Sequence, residues 1–241
     1  DSLIEFKKLD DLMPESASES MPKKRSLRIT NCVKVLKSAE SLLLKYDGII
    51  YIGNTLSDPD NNRNKWNDLL PGIDIRVAAP NESCSSASDG FKTHIARLVK
   101  LMASVRTAEL EIISKYDEEI HDDYFSRFNW HYFTEDETVL CPPVILIEES
   151  QNLLGKELSS FSALLSSNKP VKVFAINKHL TFKISKNGSE ADDQISFQQE
   201  LSALAFSHRS AFTHQGAVHN PIHLLKGLEL GLASSTPAFF N

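Results

Sequence analysis

The sequence predicts an α/β protein of three layers, in which a mostly parallel sheet carries helices on both faces. Two observations lead to this fold class. Short, almost purely apolar runs alternate with segments of helical periodicity, and the connections between them are short. The apolar runs also lack the polar alternation of a half-exposed strand, which is typical of strands covered on both faces.

The composition and charge of the chain disfavour two classes of protein, those that bind nucleic acid and those that associate with membranes. The chain has 241 residues with 41% hydrophobic and 24% charged content, as in ordinary globular proteins. A formal net charge of -6 argues against nucleic acid as a partner. No apolar run approaches the roughly 18–20 residues that cross a bilayer, so we expect no membrane association. Three dispersed cysteines and the lack of a signal-peptide pattern predict a cytoplasmic protein with free thiols.

The predicted domain organisation is simple. Residues 1–26 are polar and charged and form an arm or linker, and residues 27–241 form a single α/β domain. Within this domain, residues 80–137 contain a long helix and an acidic, aromatic connector, which we interpret as a candidate insertion. The chain begins at Asp1 and stops on an apolar stretch, so we expect it to be a piece of a longer protein.

The first half of the domain is predicted to contain three helices and two strands. Helical spacing begins at Asn31, and the helix that follows precedes a buried strand at residues 49–52. A short helix at 65–70 leads to a strand at 73–79. After a loop at 80–89, a long helix runs from about Phe91 to about Ile120, with Ser88 or Asp89 as its N-cap.

The second half continues the alternation with four strands, the first three of which are each followed by a helix. The predicted elements are strands at 143–148, 171–176, 211–215 and 237–240, with helices at 151–166, from about 194, and at 221–233.

Several short motifs are weak indications of chemistry. The turn Gly53-Asn54-Thr55 follows a strand but lacks the further glycines of a phosphate loop, so a plain turn is favoured. The Asp58–Asn64 stretch resembles a calcium loop, yet Arg63 and Leu69 stand where Gly and Glu are required. An Asx-rich loop is therefore the preferred interpretation.

Two histidines and an aromatic cluster also have ordinary explanations. His219 and His223 are four residues apart, but Pro221 places His219 at the start of a helix, so capping or exposure is favoured over zinc binding. The aromatic residues between 124 and 133 have few basic neighbours, which favours core or interface positions over nucleic-acid stacking.

The order of elements in residues 142–241 is more informative than any single motif. The segment Ser162–Asn177 is a helix that ends in a small turn and leads into a strand. The segment Leu201–His208 is a helix before the next strand. The closing part is strand, helix and strand: Ala211–Gln215, Pro221–Ala233 and Pro237–Phe240.

These segments resemble the thiamine-diphosphate-binding C-terminal domain of pyruvate:ferredoxin (flavodoxin) oxidoreductases and related 2-oxoacid oxidoreductases. The resemblance implies a thiamine-diphosphate-binding-like fold. It also implies that residues 143–148, 171–176, 211–215 and 237–240 are neighbouring strands of one sheet. The turn Glu148–Gln151 and the loop Asn177–Lys183 should then lie at the same edge.

The cofactor motif departs from this family. The family holds Mg²⁺ and the diphosphate with a Gly-Asp-Gly turn and a loop that ends in Asn-Thr-Gly-Gly. Here the turn is Glu148-Glu149-Ser150-Gln151, and the loop begins at Asn177. The resemblance assigns the degenerate cofactor-binding positions to Glu149, Ser150, Asn177 and Lys183. No catalytic residue or resident metal ligand is predicted, and no cofactor is expected in this chain.

Three functions stay open at this point. The first is a domain that has lost thiamine diphosphate and serves as a structural or interaction partner, either for other domains of the same protein or for a homodimer partner. The second is an active 2-oxoacid oxidoreductase domain, part of a larger chain, that binds thiamine diphosphate and Mg²⁺ through an unusual turn. The third is an unrelated α/β module that binds another small ligand at the same strand ends.

Overall fold

A computed structural model of the chain describes residues 22–39, 48–141, 143–177 and 201–241. These residues divide into two compact units. Of the described residues, unit 1 comprises 22–39 and 94–140, and unit 2 comprises 48–93, 141, 143–177 and 201–241. No described helix combines the length and the apolar character needed to cross a membrane.

Unit 2 contains a six-stranded sheet in which every pairing is parallel. In chain order, the strands are β1 (Ile49–Ile52), β2 (Asp74–Val77), β3 (Val144–Glu149), β4 (Val171–Ile176), β5 (Phe212–His214) and β6 (Ala238–Phe240). Their spatial order is β2-β1-β3-β4-β6-β5. The predicted α/β class with a parallel sheet is confirmed.

The helices are, in chain order, α1 (Lys23–Lys37), α2 (Pro59–Leu69), α3 (Ser83–Ile112), α4 (Glu118–Ser126), α5 (Glu135–Val139), α6 (Ser150–Leu154), α7 (Leu158–Leu165) and α8 (Pro221–Ala233). A 3₁₀ turn spans Trp130–Tyr132, and residues 201–207 are also helical.

Helices cover both faces of the sheet, which makes unit 2 a three-layer structure. On one face, Ile50, Ile52 and Ile147 form a buried cluster to which Trp66 of α2 is added. On the other face, the ring of Phe161 from α7 packs edge-on against Phe239, with 5.2 Å between centroids. Each strand contributes alternate residues to the two cores, as the two-residue period requires.

Several predicted boundaries are wrong. The helix predicted from Asn31 begins at Lys23, and the stretch interpreted as an Asx-rich loop is the first part of α2. Asp58 caps α2 by accepting a hydrogen bond from the backbone N–H of Asn61, and Pro59 occupies the first turn, where its missing N–H costs nothing.

The long helix also differs from its prediction. It begins at Ser83, five or more residues before the expected caps, and it ends at Ile112. Ser114 then adopts a left-handed backbone with φ 55°, and Asp117 caps the separate helix α4. The helix predicted at 151–166 is likewise two helices, with Gly155 following the first.

Unit 1 packs around its own small core. Ile29, Cys32 and Val33 of α1 are buried with Ala108 of α3. The connector aromatics gather around Phe128, whose ring centroid lies 5.8 Å from those of Tyr124 and Tyr132. Phe128 is buried, which fits the predicted core or interface position, whereas Tyr132 is 47% exposed. The division of the chain into an arm, one domain and an insertion stays a prediction.

Candidate functional site

The topology places the candidate site between β1 and β3. The connection from β1 to β2 runs in one direction along the sheet, and the connection from β2 to β3 runs back past β1 to its other side. In open parallel sheets, ligands bind in the crevice that such a reversal opens at the carboxyl ends of the strands. Gly53 follows β1 at this edge, and Glu148 is the penultimate residue of β3.

A buried carboxylate fills this crevice. Glu148 is 1% exposed, and a Cβ atom on Gly53 would lie 2.2 Å from its Oε2 and 2.3 Å from its Cδ. Gly53 is therefore required here because its backbone lies directly against the carboxyl group. The backbone N–H of Gly53 donates to the carbonyl of Ile147 at 2.8 Å, which closes the junction between the two strands.

Four donors satisfy the Glu148 carboxylate. Its Oε1 accepts from the hydroxyl of Thr55 and, at 2.7 Å, from the backbone N–H of Glu149. Its Oε2 accepts from Ser83 Oγ at 2.6 Å and from Asn152 Nδ2 at 3.1 Å. An ionised carboxylate offers about four lone-pair positions, so these four donors saturate it.

A second buried carboxylate, Glu157, lies beside the first and caps α3. It is 1% exposed, and it accepts from the backbone N–H groups of Ser83 at 2.9 Å and Cys84 at 2.7 Å. Burial alone would raise the pKa of Glu157. The hydrogen bonds from Ser83 and Cys84 outweigh burial, so the pKa lies below its ordinary value. These donors are the otherwise unpaired amides of a helix N-terminus, which favours a negative charge.

Ser83 and Asn152 connect the two carboxyl groups. Ser83 Oγ contacts both Glu148 Oε2 and Glu157 Oε1, and Asn152 Nδ2 donates to the same two oxygens at 3.1 Å each. Asn152 has two amide protons and can serve both. Ser83 has one hydroxyl proton, so it can donate to only one of the two oxygens at a time.

The sequence-predicted site residues lie at the same edge but in different environments. Glu149 is half-buried at the end of β3, and Asn177 follows β4, whose Ile176 pairs with Glu149. Asn177 Nδ2 donates to Asn241 Oδ1 at 3.0 Å, beyond β6. Ser150 is 1% exposed, and its hydroxyl has no hydrogen-bond partner among the described residues. Lys183 lies outside the described residues.

The structure adds six residues to the predicted positions: Gly53, Thr55, Ser83, Glu148, Asn152 and Glu157. Gly53 and Thr55 belong to the turn that was interpreted as a plain one, so that interpretation is incomplete. One signal could have drawn attention to Glu148. It follows Val144 and Leu146 at intervals of two, so strand periodicity places it on the buried face. Glu157 gave no comparable signal, because it contacts Ser83 from 74 positions away.

These residues do not fit thiamine diphosphate and Mg²⁺ in the way the resemblance implies. The diphosphate needs close approach to backbone N–H groups, but Glu148 occupies the space against Gly53, and its charge would repel a phosphate. Mg²⁺ needs oxygen ligands, but the oxygens of Glu148 are saturated by protein donors. Within the described ranges, no three His, Cys, Asp or Glu side chains converge as metal ligands.

Comparisons with known proteins found no match to any family model, curated protein or solved structure.

Proposed function

We propose that the chain is a cytoplasmic domain of a 2-oxoacid (pyruvate):ferredoxin/flavodoxin oxidoreductase-like protein that has lost thiamine diphosphate binding and acts as a structural or interaction partner. The observation that carries the proposal is the buried, fully hydrogen-bonded Glu148 at the crevice where a ligand would bind. The Glu148 side chain occupies the position of a ligand in this crevice, and it accepts the hydrogen bonds that the ligand would otherwise accept.

The arrangement of the strands supports the family part of the proposal. The four strands of residues 142–241 are neighbours in the order β3, β4, β6 and β5, as the resemblance requires. Glu148 and Glu149 end β3 and Ser150 begins α6, whereas Asn177 follows the adjacent parallel strand β4, so both segments lie at the carboxyl edge. Opposite edges would have counted against the resemblance.

The second candidate is an active domain that binds thiamine diphosphate and Mg²⁺ through an unusual turn. One observation favours it: the buried hydroxyl of Ser150 has no partner in the described part of the chain. Buried polar groups are nearly always paired, so a missing ligand is one explanation of this hydroxyl.

Calorimetric titration separates the two candidates. The folded chain is titrated with thiamine diphosphate in the presence of Mg²⁺, and the titration is repeated with Glu149→Ala. We expect no binding heat from either protein. Micromolar binding that requires Mg²⁺ and weakens in Glu149→Ala would overturn the proposal and give Glu149 a metal-binding role. Circular dichroism and a cooperative urea transition show that each sample is folded.

A further inference from the structure

A long cavity lies inside unit 1, and all of its described lining belongs to that unit. Its volume is about 770 Å³, which is within the range of small-molecule sites. On α1 the lining extends from Lys24 to Ser38, a distance of about 21 Å along the helix axis. The other walls come from α3 and from the segment that contains α4. The cavity is therefore elongated and follows a helix.

Helices α1 and α3 run antiparallel beside this cavity. Arg28 Nε donates to Glu111 Oε1 at 2.7 Å. Cys32, about one turn later in α1, is buried in one cluster with Ala108, about one turn earlier in α3. Contacts that advance along α1 while they go back along α3 require opposite helix directions. The C-terminal end of α1 therefore lies towards the N-terminal part of α3.

The end of the cavity near the α1 C-terminus is basic. Lys34 and Lys100 line this end, both are exposed, and neither forms an ion pair with another residue that the structure describes. Partners are scarce nearby, since α1 has six Lys and Arg residues and no Asp or Glu. In α3, no acidic residue lies between Asp89 and Glu109. Among the described residues, two unpaired positive charges therefore mark this end, in a chain whose net charge is -6.

The opposite end of the cavity is aromatic and held in place. The guanidinium carbon of Arg28 lies 3.9 Å from the centroid of the Tyr116 ring, and Tyr116 Oη donates to Asp122 Oδ1 at 2.8 Å. The ring of Phe125 is nearly parallel to that of Tyr116, with 6.1 Å between centroids. The charge of Arg28 is balanced by its ion pair with Glu111. These contacts fix an apolar wall, so little ordering is required when a ligand binds against it.

We propose that this cavity binds a free fatty acid, with the carboxylate at Lys34 and Lys100 and the alkyl chain directed towards Tyr116 and Phe125. A cavity with a basic end and an aromatic end complements a molecule with one negative head and an apolar tail. The elongated shape along α1 suits an extended chain better than a compact ring system. The inference goes beyond the proposed function and does not depend on the loss of thiamine diphosphate.

The length of the alkyl chain provides the first test. The full chain is titrated calorimetrically with saturated carboxylates of roughly 8 to 14 carbons, below their micelle concentrations, and the affinity should rise about fourfold for each CH₂ group that the cavity buries. The rise should stop at the length that fills the cavity. An alkyltrimethylammonium ion of equal length is the matched ligand control, and its positive head should weaken binding at least about tenfold. An affinity that does not depend on chain length, or equal binding of the two head groups, would overturn the proposal.

Substitutions then locate the site. The double variant Lys34→Glu/Lys100→Glu should bind dodecanoate at least about tenfold more weakly, because both positive charges are reversed. Ser104→Trp places a large side chain in the α3 wall and should abolish binding, whereas Ser104→Ala should retain it. Lys115→Glu reverses an exposed charge of unit 1 outside the lining, so it is the matched control and should bind as the wild type does.

Circular dichroism and a cooperative urea transition show that each variant is folded. The proposal is wrong if the folded wild type binds no dodecanoate saturably, or if the folded double variant binds it with wild-type affinity. An equal loss of affinity in Lys115→Glu and in the double variant would assign the effect to overall charge, and it would also overturn the proposal. Neither thiamine diphosphate nor Mg²⁺ is present in these titrations, so their outcome is distinguishable from a failed test of the proposed function.

Discussion

Replacing Gly53 with alanine should destabilise unit 2 strongly. The new Cβ would lie 2.2–2.3 Å from three atoms of the Glu148 carboxyl group, whereas ordinary contacts begin near 3.4 Å. The carboxyl group must therefore move by about 1 Å and break part of its hydrogen bonding. Overpacking costs about 1–3 kcal/mol, and each lost hydrogen bond to a charged group costs about 1.5–3 kcal/mol. We expect a total loss of about 3 kcal/mol or more.

Urea unfolding followed by circular dichroism measures this loss. With a slope of roughly 2–3 kcal/mol per M, the midpoint should fall by about 1 M or more. A double-mutant cycle then identifies the cause. Glu148→Ala alone should also destabilise, because it removes the carboxyl group that accepts hydrogen bonds from Thr55, Ser83, Asn152 and the backbone N–H of Glu149. In that background the Gly53→Ala change should cost less than about 1 kcal/mol, because the clash is gone.

The matched control uses the neighbouring carboxylate. Glu149→Ala removes a side chain that does not lie against Gly53, so its effect should add to that of Gly53→Ala within about 0.5 kcal/mol. Additive effects for Gly53→Ala with Glu148→Ala would refute the reasoning. Glu148 would then not fill the crevice against Gly53.

Three further predictions concern other parts of the chain. Burial lowers the pKa of Lys172 to about 8, below the roughly 10.4 of an unfolded lysine, so the free energy of unfolding should rise between these pH values. Urea transitions should show this rise, by up to about 1.4 kcal/mol per pH unit, and Lys172→Met should abolish it. In thermal and urea unfolding, Arg106→Met should cost about 2 kcal/mol, because Arg106 bonds Tyr124 Oη at 3.0 Å and Glu137 Oε2 at 2.7 Å. Arg127→Met, which loses only an exposed ion pair, should cost less than about 0.5 kcal/mol, and equal costs would contradict the assignment. Iodoacetamide should alkylate Cys32 slowly at pH 8 until urea unfolds the chain, because burial raises the pKa of Cys32 to about 11; rapid labelling of the folded chain would contradict this.

The strands and α8 could be predicted from the sequence because local signals define them. The predicted strands at 49–52 and 171–176 match β1 and β4, which are apolar runs that end at a glycine or at a polar residue. Helix α8 begins at Pro221 and ends at Ala233 as predicted, since Asn220 caps it and proline occupies its first turn.

The start of α3 could not be predicted from nearby residues. Its first amides, those of Ser83 and Cys84, are capped by the side chain of Glu157, which is 74 and 73 positions away. Local N-cap preferences therefore indicated Ser88 or Asp89 and missed the helix start. The candidate site also depends on contacts between residues that are distant in sequence. Strand periodicity indicates that Glu148 is buried, but its hydrogen-bond donors come from three separate segments.

The arrangement of the two carboxyl groups explains how the domain can fold without a ligand at the switch point. A ligand that binds there would accept hydrogen bonds from the α3 N-terminus and from the turns after β1 and β3. Glu157 takes the α3 amides, and Glu148 takes the donors of both turns. An isolated buried charge destabilises a fold, but a buried carboxylate that accepts several hydrogen bonds does not. Glu148 and Glu157 therefore supply the hydrogen-bond acceptors that a ligand at this edge would otherwise supply.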